Sequence, residues 1–253
     1  DDYTSIKKCL NTNYISTYGP FVNIFEKKIK NITKSKFVVA VNSGTSGIHL
    51  ALLSLGVDKG DEILMPSLNF VASANSAIYC GCIPHFIDSE EQTLGADPNK
   101  LEKYLKQTTF IKNNSCYNKI TKRKISALIA VHIFGHPCRI TDLKKICSKY
   151  KIPILEDAAE GLGSYYKKKH VGTFADIGVI SFNGNKIIST GSGGAILTNS
   201  KKIEKFSRNL ASVGKLNHEW EYKYNQVGFN YRMANINAAL GISQVDLLKQ
   251  RLK

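Results

Sequence analysis

The sequence has no long apolar run. None approaches the roughly 18 residues that a membrane-spanning helix needs, so a helical membrane protein is excluded and a soluble chain is expected. A signal-peptide pattern is also missing, because the opening stretch DDYTSIKKCL is polar and acidic. With no Met at position 1, the true N-terminus is expected to lie upstream. Cysteine is present without a framework: Cys9, Cys80, Cys82, Cys116, Cys138 and Cys147 are scattered, which suits a reducing, cytoplasmic compartment. Cys80 and Cys82 with nearby His85 lack the second ligand pair of a structural zinc site, so no metal is expected.

Acidic residues are scarce. Twenty Asp and Glu face 35 Lys and Arg, a net charge of +15, which suits nucleic acid or a smaller anion such as a phosphorylated metabolite or a sugar nucleotide. The lysines are spread along the chain, and their densest cluster, residues 167–169, lies between SYY and VGTFAD like the tip of a hairpin. Few aromatics interleave with the basic residues as a single-strand platform requires, so neither nucleic acid nor membrane is expected as a partner. The chain contains no P-loop, no GxGxxG, no internal repeat and no low-complexity linker.

What is present is a repeated alternation. KFVVAV, DEILMP, IPHFID, ISALIAVHIFG, IPILED, the apolar run at 177–182 and GGAILTNS read as strands. Between them stand helix-like segments: TSGIHLALLSLG, NFVASANSAIYCG, one starting near Asp97-Pro98, TDLKKICSKYK with Thr141 as N-cap, and KKIEKFSRNLASVG. Strand and helix in turn predict an α/β protein with a mostly parallel sheet covered by helices. The expected organisation is a helical segment over 1–35 and a large α/β domain over 36–253, ending in a helix from Ala234.

Ligands of an open parallel sheet bind beyond the C-terminal ends of its strands. After the first strand, NSGTSG opens a helix whose free N–H groups suit a phosphate, with Gly44, Thr45 and Ser46 as candidates. Phe70, after the second strand, is placed to cover a planar ligand or to fill the core. Glu156 and Asp157 end another apolar run, where a buried carboxylate wants a cation. SFNGNKIISTGSGG supplies one, Lys186, soon after Ser181 and Asn183. A lysine for a Schiff base, an acid for a ring nitrogen, a phosphate cradle and an aromatic cover are together the needs of pyridoxal 5′-phosphate.

VNSGTSGIHLAL, MPSLNFVASANSA, LEDAAEGLGSYY, VGTFADIGVISFNGNKIISTGSGGAI and VGFNYRMANINAALG resemble, in order, the motifs of the DegT/DnrJ/EryC1/StrS family of sugar-nucleotide aminotransferases. SFNGNKII is similar to the branch that makes aminated sugars for bacterial surface glycans, including legionaminic acid and perosamine precursors. The resemblance implies fold type I and pyridoxal 5′-phosphate as cofactor. It also implies a nucleotide-linked keto sugar as substrate, glutamate as amino donor and a homodimer with shared sites.

Carried onto this sequence, it makes Lys186 the Schiff-base lysine and Asp157 the partner of the pyridine nitrogen, with Phe70 stacked on the ring. Gly44, Thr45, Ser46 and Ser181 would hold the phosphate, Asn183 would lie in the site, and Asn230 would reach the neighbouring subunit's cofactor. Glu160 stands where many members carry Gln or His near the phenolic oxygen. Arg232 and His132 are candidate substrate contacts. Dehydratases of the family carry His in place of the lysine, so Lys186 favours transamination. Members continue into a smaller C-terminal domain, and the chain is expected to be a copy lacking it, as an enzyme, an inactive remnant or half of a split enzyme.

Overall fold

A computed structural model describes every residue except Asn217 and Glu219. Two helices come first, α1 (Asp2–Asn11) and α2 (Pro20–Thr33). Strand and helix then alternate: β1 (Phe37–Val41), α3 (Gly44–Ser54), β2 (Glu62–Pro66), α4 (Val71–Tyr79), β3 (Ile83–Ile87) and α5 (Pro98–Thr108). A short hairpin, β4 (Thr109–Lys112) and β5 (Ser115–Asn118), precedes β6 (Lys124–Val131), α6 (Ile140–Tyr150) and β7 (Ile154–Asp157). A second hairpin, β8 (Tyr165–Tyr166) and β9 (Lys169–His170), leads to β10 (Ile177–Ser181), β11 (Gly194–Thr198), α7 (Lys201–Ala211) and α8 (Asn235–Arg251).

The central strands run in the order β1, β11, β10, β7, β6, β2, β3. Every pairing from β10 to β3 is parallel, while β11 is antiparallel to both β1 and β10. The expected mostly parallel sheet is therefore present, with one reversed strand on this path and the β4–β5 hairpin joined antiparallel to β6. Strands β2, β7, β10 and β11 are buried along their whole length, as strands covered on both faces must be. Alternate residues divide between the two layers. Val39, Ile63, Ile129 and Val179 join α3, α4 and α7, whereas Leu64, Leu128 and Ile154 join α5 and α6, and Ala40 and Ile180 join α2 and α8.

Helix starts follow local chemistry. The Asp97 carboxylate accepts from the amides of Asn99 and Lys100 ahead of Pro98, and Ser200 and Ser43 cap α7 and α3 through Ile203 N and Ser46 N. The N-cap expected at Thr141 is a miss: α6 begins at Ile140, and the Thr141 hydroxyl bonds the Tyr166 hydroxyl at 3.4 Å instead. Lys167 and Lys168 form the expected hairpin tip, both with positive φ.

The helical opening segment is tied to the end of the described chain. Asn235, fully buried at the start of α8, accepts from Phe21 N and donates to Tyr14 O. Phe25 of α2 meets Phe182 edge-on at 5.0 Å, beneath the segment that carries Lys186. No helix among the described residues is long and apolar enough to cross a membrane.

Candidate active site

Neighbouring strands β10, β7, β6 and β2 point their C-terminal ends the same way, and the segments that leave them enclose a cavity of about 210 Å³. From β2 come Leu68, Asn69 and Phe70; from β6, Val131, His132, Ile133 and Phe134; from β7, Asp157, Ala159 and Glu160; from β10, Lys186. Five of the expected site residues, Phe70, His132, Asp157, Glu160 and Lys186, thus line one space.

Asp157, the last residue of β7, is 5% exposed at the cavity floor. Its Oδ2 accepts a 2.7 Å bond from the hydroxyl of Ser73, itself fully buried in α4, and its Oδ1 accepts from Ala159 N at 3.1 Å. Burial pushes the Asp157 carboxyl above its ordinary range; these two bonds and the nearby Lys186 ammonium only partly oppose it. Among the described residues no cation is bonded to this carboxylate.

Lys186 follows a three-residue polar turn whose backbone closes through Lys186 N to Asn183 O at 3.0 Å. Its Nζ donates to Glu160 Oε1 at 2.8 Å, so an ammonium and a carboxylate face each other across the cavity. Phe70 is 76% exposed, which rules out the alternative that it fills the core. Phe134 stands in the same wall, 74% exposed, in the left-handed region at φ 51, a strained conformation for an aromatic residue.

His132 reaches the cavity, but both its nitrogens are engaged. Nδ1 accepts the Cys138 amide at 3.2 Å, which leaves Nε2–H to donate to Glu156 at 3.0 Å. Glu156 is fully buried and also accepts from the amides of Gly172, Phe174 and Ala175. This pair braces β6, β7 and the 172–175 segment.

The phosphate candidates gather at the start of α3. A Cβ added to Gly44 would lie 2.9 Å from Ser181 Cβ, so only glycine lets the helix start and the end of β10 approach this closely. Thr45 and Ser46 line a separate cavity of about 370 Å³ with Asn42, Ser43, His49, Tyr79, Ser192 and Tyr231. Asn183 is exposed and bonds Asn185. Asn230 and Arg232 lie outside the Lys186 cavity: the Asn230 carbonyl accepts from Asn42, and the Arg232 guanidinium sits 5.6 Å from the Tyr18 ring centroid. Ser73 and Phe134 escaped the sequence reading. A serine inside an apolar helix segment carries no signal of its partner 84 residues away.

The model of the DegT/DnrJ/EryC1/StrS aminotransferase family matches residues 1–253, the whole chain. The chain belongs to this family. GDP-perosamine synthase of Escherichia coli O157:H7 is 36% identical over 241 residues, covering 95% of this chain and 62% of the relative. The solved structure of Helicobacter pylori PseC, an aminotransferase of pseudoaminic acid biosynthesis, aligns with TM-score 0.86 at 26% identity over 98% of this chain and 63% of that one. The Bacillus subtilis ntda crystal structure, which holds the cofactor PMP, aligns with TM-score 0.85 at 28% identity over 98% of this chain and 53% of that one. The chain thus spans between half and two thirds of the length of these proteins. Its α/β architecture is that of the fold type I aminotransferases.

Proposed function

We propose that this chain is the cofactor-binding part of a pyridoxal 5′-phosphate-dependent aminotransferase that converts a nucleotide-linked keto sugar to an amino sugar for surface glycans. The observation that carries the reading is the pairing, in one cavity, of the Lys186 amine with a buried Asp157 carboxylate that has no cation bonded to it among the described residues. A protonated pyridine ring supplies the missing positive charge, so the donor set fits the group. When bound, the cofactor supplies an electron sink that makes the α-carbon proton of an amine acidic.

The chain's own residues do the rest. Asp157 keeps the ring nitrogen protonated, and Ser73 and the Ala159 amide hold the carboxylate in place. Lys186 Nζ would hold the cofactor covalently, and as a free amine it would carry the proton at the donor's α-carbon. Phe70, 76% exposed at the cavity wall, would cover the ring and exclude water. The N-terminus of α3, at Gly44, Thr45 and Ser46, holds the phosphate together with Ser181, while Asn183 shapes the lysine's turn.

Glutamate is the proposed donor, and a homodimer the proposed assembly, in which Asn230 serves the neighbouring subunit's site. Arg232 is the proposed contact for a donor carboxylate or nucleotide phosphate. With both nitrogens engaged, His132 contributes a wall instead of a hydrogen bond. The enzyme is proposed to work in the cytoplasm, with no nucleic-acid or membrane partner.

The test is an absorbance spectrum of the chain with pyridoxal 5′-phosphate, beside Lys186→Ala, before and after glutamate. A yellow band that needs Lys186 and bleaches with glutamate is expected. A band of equal strength in Lys186→Ala overturns the assignment.

A further inference from the structure

Building on that cofactor reading, we propose that Glu160 is a catalytic proton carrier for Lys186. Its carboxylate takes the proton that Nζ must lose before bonding a carbonyl carbon, and returns it to the oxygen that departs. The geometry is direct: Glu160 Oε1 lies 2.8 Å from Nζ inside the cavity. Among the described residues, Glu160 is the one side chain bonded to that nitrogen.

The other titratable groups of the cavity are committed elsewhere. Asp157 is bonded to Ser73 and to the Ala159 amide, and its free lone pairs face the space proposed for the ring nitrogen. His132 has its Nδ1 filled by the Cys138 amide and its Nε2–H given to Glu156. Neither can accept a proton from Lys186. The Glu160 side chain is about one-third exposed, so it can exchange protons with water, whereas Nζ is more enclosed.

The backbone holds the carrier in position. Gly135 has φ +80, and a Cβ there would lie 2.6 Å from the Glu160 carbonyl oxygen. The turn after β6 therefore presses against the residue that faces Lys186, which only a glycine permits.

The step balances. The ammonium gives one proton to Glu160, and the free amine forms an N–C bond with the cofactor's aldehyde carbon. Nitrogen passes a second proton to the oxygen, the C–O bond breaks, and the Glu160 proton lets that oxygen leave as water. A protonated C=N link and a carboxylate remain; charge and atoms are conserved.

The experiment follows covalent attachment instead of turnover. The chain is mixed with saturating pyridoxal 5′-phosphate at pH 7, quenched at intervals with borohydride, and the reduced adduct on Lys186 is quantified by peptide mass. Glu160→Gln, close in size and partly exposed, is expected to slow attachment about 100-fold. Glu160→Ala is expected to be equally slow and to recover part of the rate with added formate, which replaces the carboxylate. Attachment by Glu160→Gln at the wild-type rate or faster overturns the proposal, since a carboxylate that only anchors the amine carries no proton in the step. No adduct on the unaltered chain overturns the cofactor reading as well.

Discussion

Ser73→Ala removes one donor and leaves the rest of the cavity intact. The hydroxyl lies 2.7 Å from Asp157 Oδ2, and neither residue has meaningful access to water. A hydrogen bond to a charged acceptor contributes about 1.5–3 kcal/mol, so the ionised carboxylate loses about that much support. Burial already drives the Asp157 carboxyl upward, and the substitution moves it further the same way. If the ionised form holds a protonated ring nitrogen as proposed, pyridoxamine phosphate affinity at pH 7 is expected to fall about 10-fold to 100-fold. Calorimetric titration reads this, with Ser73→Thr as the control that keeps the hydroxyl. Affinity unchanged within twofold in Ser73→Ala would refute the claim that this serine supports the carboxylate.

Other predictions concern the frame. Burial works to raise the Glu62 carboxyl, but bonds from Thr121, Asn118 and His85 outweigh it and hold the group below its ordinary value. Its contribution is full above the unfolded pKa and lost as pH falls through the folded one, so from about pH 5 to pH 3 wild type should lose more urea stability than Glu62→Gln. Gly135→Ala sets a Cβ against Glu160 O at a positive φ and should cost about 2–4 kcal/mol in the same assay. Lys168→Gly, at φ 65 in a two-residue turn, should instead raise the urea midpoint, a gain of about 1 kcal/mol.

Much of this was legible because apolar runs and their boundaries are local facts. Strands β1, β2, β3, β6, β7, β10 and β11 each coincide with a run that reads as one, and Asp157 and Lys186 stand out as charges just past such runs. That β7 and β10 are neighbours, and so bring the two together, follows from topology. The β4–β5 hairpin was not legible: its strands have four residues each, β4 is exposed beyond Thr109, and its turn is the pair Asn113 and Asn114 at positive φ, where glycine is the usual signal. Partnerships such as Ser73 with Asp157 or His132 with Glu156 depend on distances set only after the sheet forms. Phe134 was illegible for another reason, since its backbone runs against its residue type.

The reversed strand changes what holds the lysine. Had β11 run parallel to β10, the chain would have to travel the length of the sheet before re-entering it. Because it runs the other way, the segment leaves at Ser181 and re-enters at Gly194, two residues that face each other in register. Phe182 N bonds Gly193 O, and Thr190 N bonds Phe182 O, so the stretch carrying Lys186 is buckled shut at its base. Gly194 also faces Val41, next to the turn that starts α3. One clasp therefore fixes the amine and the start of α3 against a common reference, and the entropy of aligning the two is spent when the chain folds.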